Sequence, residues 1–159
     1  MIHVIFVRMK EFIDYRETKI MNVYKWYKVS RILYLHHIPL LPGLIKVGIR
    51  ILWGGVIPYQ ADIGEGTIIG YQGIGVVIHK RCVIGRNCHI AQNVTMGGTS
   101  DLYEVPILGD NVSVGAGANI IGAVHVGNNV KIGAGAVVIR DIPNNCIAVG
   151  VPARIIKKE

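Results

Sequence analysis

Of the six histidines and three cysteines in this 159-residue chain, few are placed to move a proton or attack an electrophile. A histidine titrates near neutral pH, so it can take a proton from a hydroxyl and later return it. His79 stands out because it follows Gly75-Val76-Val77-Ile78 at a position where the surrounding sequence prefers glycine. His89 and His125 read as exposed residues next to turns, and His36-His37 as the end of a helix. Cys82 and Cys88 are too far apart for a zinc pair, whose members usually sit about two to four residues apart, and further ligands are missing, so no metal is expected. No cysteine or serine is paired with a base, which argues against a covalent intermediate. The cysteine count is odd and Met1–Val7 is a short apolar run followed by Arg8, Lys10, Glu11 and Asp14. Reduced core cysteines in a cytoplasmic protein are therefore expected.

These side chains need a body to hold them, and the composition describes an unusual one. The chain is 51% hydrophobic but only 7% aromatic, with 20 glycines. That is too apolar for disorder, and a core so poor in rings must be filled by Val, Ile, Leu and Ala. Reading from Ile84 in steps of six gives Ile90 and Met96, then Leu108, Val114, Ile120, Val126, Ile132 and Val138. Ile57, Ile63 and Ile69 do the same earlier. Four residues after each comes a second small or branched residue, as at Cys88, Val94, Val112, Ala118, Val124, Val130 and Ala136. Neither a strand nor a helix has period six. A short strand plus a tight turn does, and three such hexads close one triangular coil. The pattern predicts an all-β solenoid, a parallel β-helix whose stacked coils bury inward ladders.

Two interruptions break the lattice. Ile69 to Ile78 spans nine residues, so Gly70–Gly75 holds three that the lattice does not need. Met96 to Leu108 spans twelve without the usual glycine, which predicts an extruded loop around residues 97–107. Function in a regular solenoid concentrates where register fails. Residues 1–53 differ from the rest. The first fifty carry nine Lys/Arg against three Asp/Glu, which accounts for six of the seven net positive charges. Apolar residues Ile20, Val23, Tyr24 and Tyr27 recur at helical spacing, predicting a helix over 18–36. Pro39 and Pro42 end it, and a second helix is predicted over 43–53, with the β-helix occupying 54–159. Met21 is an alternative start. The basic, aromatic-bearing segment either packs on the main body or touches an acidic membrane face peripherally; no stretch reaches the ~20 apolar residues of a span. No nucleic-acid partner is expected.

Three stretches carry a family resemblance: Asn93-Val94-Thr95-Met96-Gly97-Gly98-Thr99, Ile132-Gly133-Ala134-Gly135-Ala136-Val137-Val138, and Gly150-Val151-Pro152-Ala153-Arg154 after Asp141-Ile142-Pro143. Over about residues 55–157 the chain resembles the hexapeptide-repeat acyltransferases, and among them the serine acetyltransferase-like branch. The resemblance implies a left-handed β-helix, a homotrimer, and acetyl-CoA in the groove between subunits. It implies backbone contacts to the pantetheine arm from Ala116 and Ala134, continued by Ile139 and Arg140. Arg154 and Lys157 would meet the CoA phosphates through charge-assisted bonds.

In that branch an Asp-His pair precedes a Gly-Ile-Val-Val-Gly-like segment, here Gly75-Val76-Val77-Ile78, and an Arg-His pair sits in the extruded loop. Gly70-Tyr71 and Glu104-Val105 occupy those positions here. His79 is then the candidate base, with Tyr71, Gln92 and Asn93 as candidate acceptor-binding residues. Short members similar to this chain are associated with surface-polysaccharide synthesis. The expected function is direct O-acetyl transfer from acetyl-CoA to a sugar hydroxyl, in the cytoplasm or at the inner membrane face, with free L-serine as the alternative acceptor. The rival classes are a trimeric scaffold without activity and a carbonic anhydrase on the same fold. The second needs metal-binding histidines in an arrangement that His79, His89 and His125 lack.

Overall fold

The computed structural model describes residues 22–100 and 102–157. Two helices, α1 (Val23–Leu35) and α2 (Leu41–Trp53), precede fourteen short strands. The strands are β1 (Asp62–Ile63), β2 (Ile68–Ile69), β3 (Val77–Ile78), β4 (Val83–Ile84), β5 (His89–Ile90), β6 (Thr95–Gly97) and β7 (Ile107–Leu108). There follow β8 (Ser113–Val114), β9 (Asn119–Ile121), β10 (His125–Val126), β11 (Lys131–Ile132), β12 (Val137–Val138), β13 (Cys146–Val149) and β14 (Arg154–Lys157). They form the left-handed parallel β-helix that the sequence predicts. Its faces run β1-β4-β7-β10, β2-β5-β8-β11-β13 and β3-β6-β9-β12, and β14 adds antiparallel to β13.

The hexad aliphatics are partners in register. Ile63, Ile84, Leu108 and Val126 stack on one face. Ile69, Ile90, Val114, Ile132 and Ala148 stack on the second, and Ile78, Met96, Ile120 and Val138 on the third. All are buried, as are the second inward residues from Cys88 to Ala136. One full coil is eighteen residues, the step from Met96 back to Ile78. Ile63 to Ile84 takes twenty-one, three more, and Met96 to Ile120 takes twenty-four, six more. The two insertions are therefore the segment around Gly70–Gly75 and the loop after β6. That loop is 98–106, slightly shorter than expected, because Gly97 still pairs in β6 and Ile107 opens β7. Cys82, Cys88 and Cys146 are free and buried, and burial pushes the Cys82 thiol up to about 11, so it stays protonated.

Asn22 caps α1, its side chain accepting from the Tyr24 N–H at 2.9 Å. The helix closes the open end of the solenoid. Val23 and Tyr27 are fully buried, and the Tyr27 hydroxyl donates to Ala61 O and accepts from Ile63 N–H. Arg31 pairs with Asp62 at 3.0 Å and Lys28 with Glu65 at 3.6 Å. Such closure is what the terminal coil of a solenoid requires. The predicted helix start at 18, like the alternative start at Met21, lies outside the described residues. The second helix begins at Leu41, not 43, because Pro42 sits in its first turn, where a missing N–H costs nothing. Leu40, Leu44, Ile51 and Leu52 form an exposed apolar ridge on this helix. Among the described residues no helix is long and apolar enough to cross a membrane.

Candidate functional site

His79 lies at the corner that follows β3. Its backbone N–H donates to Met96 O at 2.9 Å, and its carbonyl accepts from Cys82 N–H, so the main chain there is fixed by the coil below and by its own turn. The imidazole is half-buried, and its Nδ1 accepts from the Arg81 N–H at 3.2 Å. Burial first, then the Arg81 and Lys80 charges, lower its pKa from the ordinary 6.5, so the ring is neutral at pH 7. With Nδ1 accepting, the neutral ring carries its proton on Nε2.

His79 opens into a cleft of about 640 Å³ between α2 and the β3/β6 face. Lys46, Val47 and Arg50 of α2 form one wall, and Val56, Pro58, Val77, Thr95, Met96, Gly97 and Gly98 complete it with His79 and Lys80. The loop after β6 is tied to the same corner. Arg81 stacks its guanidinium 4.0 Å from the Tyr103 ring centroid and donates from Nη2 to Tyr103 O. Val105 is buried beside Gly98 and holds the loop's return to β7.

Tyr71, Gln92 and Asn93 do not line this cleft. They occupy the opposite edge of the β3/β6 face, at the corner where the chain arrives from β2 and β5. The reason lies in the backbone. Tyr71 and Gln92's neighbour Asn93 turn the chain with left-handed φ values of 49° and 57°, and Gln72 does so at 58°. Tyr71 is thereby left 74% exposed. The extra residues of Gly70–Gly75 seat α1: Gln72 Oε1 accepts from the Val23 N–H at 3.1 Å, and Gly73 packs so close that a Cβ there would lie 3.4 Å from Val23 and 3.2 Å from Ile57. An insertion predicted to bind substrate thus carries the helical cap.

A second cleft of about 280 Å³ lies near the C-terminal end, between the residues after β12 and the start of β14. Ile139, Arg140 and Arg154 line it together with Val138, Asp141, Pro152 and Ala153, so three of the six expected cofactor residues converge. Ala116 and Ala134 stack one coil apart on another corner, where Ala116 O accepts from Gly135 N–H at 2.8 Å, and they do not reach this cleft. The Lys157 side chain lies outside the described part. His89 and His125 are exposed on β5 and β10, and His125 stands 3.9 Å from the Asp141 carboxylate. Among the described residues no three His, Cys, Asp or Glu side chains gather as a metal site would require.

Residues 106–140 match the family model described as bacterial transferase hexapeptide, six repeats. Those repeats carry the signature of the hexapeptide-repeat transferase family. Within it, similarity falls on the serine acetyltransferase-like branch. A serine acetyltransferase of Synechococcus elongatus is 42% identical over 132 residues, which is 82% of this chain and 54% of that protein. The solved Neisseria gonorrhoeae serine acetyltransferase superposes with a TM-score of 0.80 at 32% identity, covering 86% of this chain and 54% of that one. A serine acetyltransferase structure in complex with CoA gives a TM-score of 0.76 at 33% identity, over 84% and 55% of the respective chains. This hexapeptide-repeat chain spans about half the length of the curated relatives it matches.

Sequence reasoning missed Lys46 and Arg50. Their signal was present as two cations four residues apart on a predicted helix, the spacing that puts side chains on one face. Nothing in the sequence says which part of the solenoid that face meets.

Proposed function

We propose that this chain is an acetyl-CoA-dependent O-acetyltransferase acting by direct transfer, with His79 as its base. The observation that carries the reading is a neutral histidine in a cleft on a β-helix that superposes on a serine acetyltransferase with CoA. The acceptor hydroxyl attacks the thioester carbonyl carbon. Its proton passes to His79, the C–O bond forms, and the C–S bond breaks with the proton delivered to the departing CoA sulfur. Backbone N–H groups of the glycine-rich turns would stabilise the oxyanion.

Taking the proton at Nε2 requires the Nδ1–H tautomer, which gives up the bond to the Arg81 amide. That neutral hydrogen bond is worth about 0.5–1.5 kcal/mol. A positioned base contributes roughly 10²–10⁴ in rate, or about 3–5 kcal/mol, so the exchange is affordable.

For the acceptor, the names of the relatives favour free L-serine over the sugar hydroxyl expected from the sequence. A sugar of a surface-polysaccharide precursor remains the second reading. Favouring it are Gly70-Tyr71 and Glu104-Val105, which stand where the branch carries its Asp-His and Arg-His pairs, with Val105 buried as packing. Acetyl-CoA would run along the corner of Ala116 and Ala134 to the second cleft, with Ile139 beside it and Arg140, Arg154 and Lys157 at the phosphates. A homotrimer would complete the groove, and a cytoplasmic location fits the buried, free cysteines. The exposed ridge of α2 is the described feature that bears on peripheral membrane contact.

Calorimetry with CoA tests the cofactor half. Arg154→Ala is expected to weaken CoA roughly 10–100-fold, the worth of one charge-assisted bond. Unchanged affinity would remove Arg154 from the site.

A further inference from the structure

The cations of the two helices have different fates. On α1, Arg31 and Lys28 are spent on Asp62 and Glu65 of the first coil. On α2, Lys46 and Arg50 face the cleft, and with Lys80 they give its lining three formal positive charges and no carboxylate. None of the three forms an ion pair among the described residues. Lys46 rests its ammonium 5.8 Å from the Tyr59 ring centroid, an aromatic face that leaves the charge uncompensated. The rest of the lining is apolar or neutral, from Val56 and Val77 to Thr95 and Met96. Cations gathered against an apolar floor raise the local potential and attract an anion. The position at which the branch carries a loop arginine is Glu104 here, so the loop does not supply this charge.

We propose that the acceptor is an anion-bearing hydroxyl compound, whose carboxylate or phosphate is held by Lys46 and Arg50 while its hydroxyl lies at His79. The inference rests on the O-acetyltransferase reading and narrows its substrate class. The anion has two sources, the carboxylate of a hydroxy amino acid or the phosphate of a phosphorylated sugar. They differ in one respect that the cleft can sense: an amino acid also brings an ammonium group, and no carboxylate on the lining is there to receive it.

Two measurements on the full chain test this. In the first, inorganic phosphate is titrated while the His79 imidazole proton resonances are followed by NMR. Saturable binding that raises the His79 pKa is expected, weakened roughly 10–100-fold in the Lys46→Gln/Arg50→Gln double variant and partly restored by Arg50→Lys. Lys131→Gln, on an exposed strand of another face, serves as the charge control. Absence of binding, or equal binding by the double variant with an unchanged unfolding midpoint, overturns the proposal.

In the second, CoA release is measured with matched acceptors: glucose 1-phosphate against glucose, and L-serine against serinamide. The anionic member of a pair is expected to win by at least roughly tenfold in kcat/KM, with the preference falling in the double variant. The pair that shows the preference identifies the source. Equal rates for anionic and neutral members refute the anion site while leaving acetyl transfer standing. Phosphate binding without transfer to any acceptor refutes acetyl transfer while leaving the anion site standing.

Discussion

In the proposed transfer His79 is the base. Partial burial lowers its pKa below 6.5, and Arg81 and Lys80 add to the effect, so the base is free at neutral pH. The acid limb of kcat/KM is therefore expected below pH 6.5. Lys80→Gln removes one repelling charge and should move that limb upward, towards 6.5; a downward move would contradict the electrostatic account. The sign for stability follows from the same shift. The unfolded chain takes up this proton near 6.5 while the folded chain is still neutral, so acidification below 6.5 favours unfolding. His79→Ala should lower kcat about 10²–10⁴-fold with little change in the KM for acetyl-CoA. Unchanged turnover would remove it as the base. His79 stands out in the sequence because it breaks the small-residue position of its hexad, and the structure places it in a cleft. The structure puts Tyr71, Gln92 and Asn93 at the corner of the face opposite His79, which the sequence did not show, since residues next to an insertion in sequence can stand at the far corner of a face.

Among the elements, the strands were read correctly because period six leaves no other inward positions, and the partners in register are the aliphatics counted from the sequence. The corners were not legible. Asn87, Asn93, Asn111, Asn129 and Asn145 all adopt positive φ, which asparagine tolerates better than other residues with a side chain. Three of them form a ladder up one corner: Asn111 Nδ2 donates to Asn129 Oδ1 at 3.1 Å, and Asn129 Nδ2 to Asn145 Oδ1 at 3.0 Å. Asn129→Ala keeps the strained φ of 57° and loses both rungs, so a loss of about 1–2 kcal/mol is expected in denaturant unfolding. Asn129→Gly should cost less, because it loses the rungs but relieves the backbone. If alanine and glycine destabilise equally, side-chain bonding and not backbone strain dominates that corner. At Gly75, with φ of 65°, a Cβ would collide with the Asn93 carboxamide of the next coil, so a side chain there must displace that group as well as hold a left-handed backbone. The extruded loop was legible as an interruption, while its clamp by Arg81 and Tyr103 needed the coordinates.

At the scale of the molecule, α1 closes one end of the prism and β14 folds back over the other, which leaves the three faces as the surfaces for contact. Beside the few charged residues, such as Asp62 and Lys131, those faces carry half-exposed aliphatics such as Ile68, Val77, Val83 and Ile107. Their burial against neighbouring copies is expected, and sedimentation equilibrium should give three times the 17.4 kDa chain mass; a monomer at micromolar concentration would contradict the shared cofactor groove. The positive charge of the N-terminal part, visible in the sequence as an appendage, acquires a local meaning only in the fold. Arg31 and Lys28 fasten α1, and Lys46 and Arg50 charge the cleft that His79 faces. The central claim, direct acetyl transfer from CoA to a hydroxyl, is tested most directly by incubating the chain with acetyl-CoA labelled at the carbonyl carbon and hydroxyl acceptors, L-serine among them, and identifying the product by mass spectrometry. The account predicts a labelled O-acetyl ester formed one for one with free CoA and suppressed by His79→Ala. Bound acetyl-CoA that acetylates none of the acceptors would contradict it.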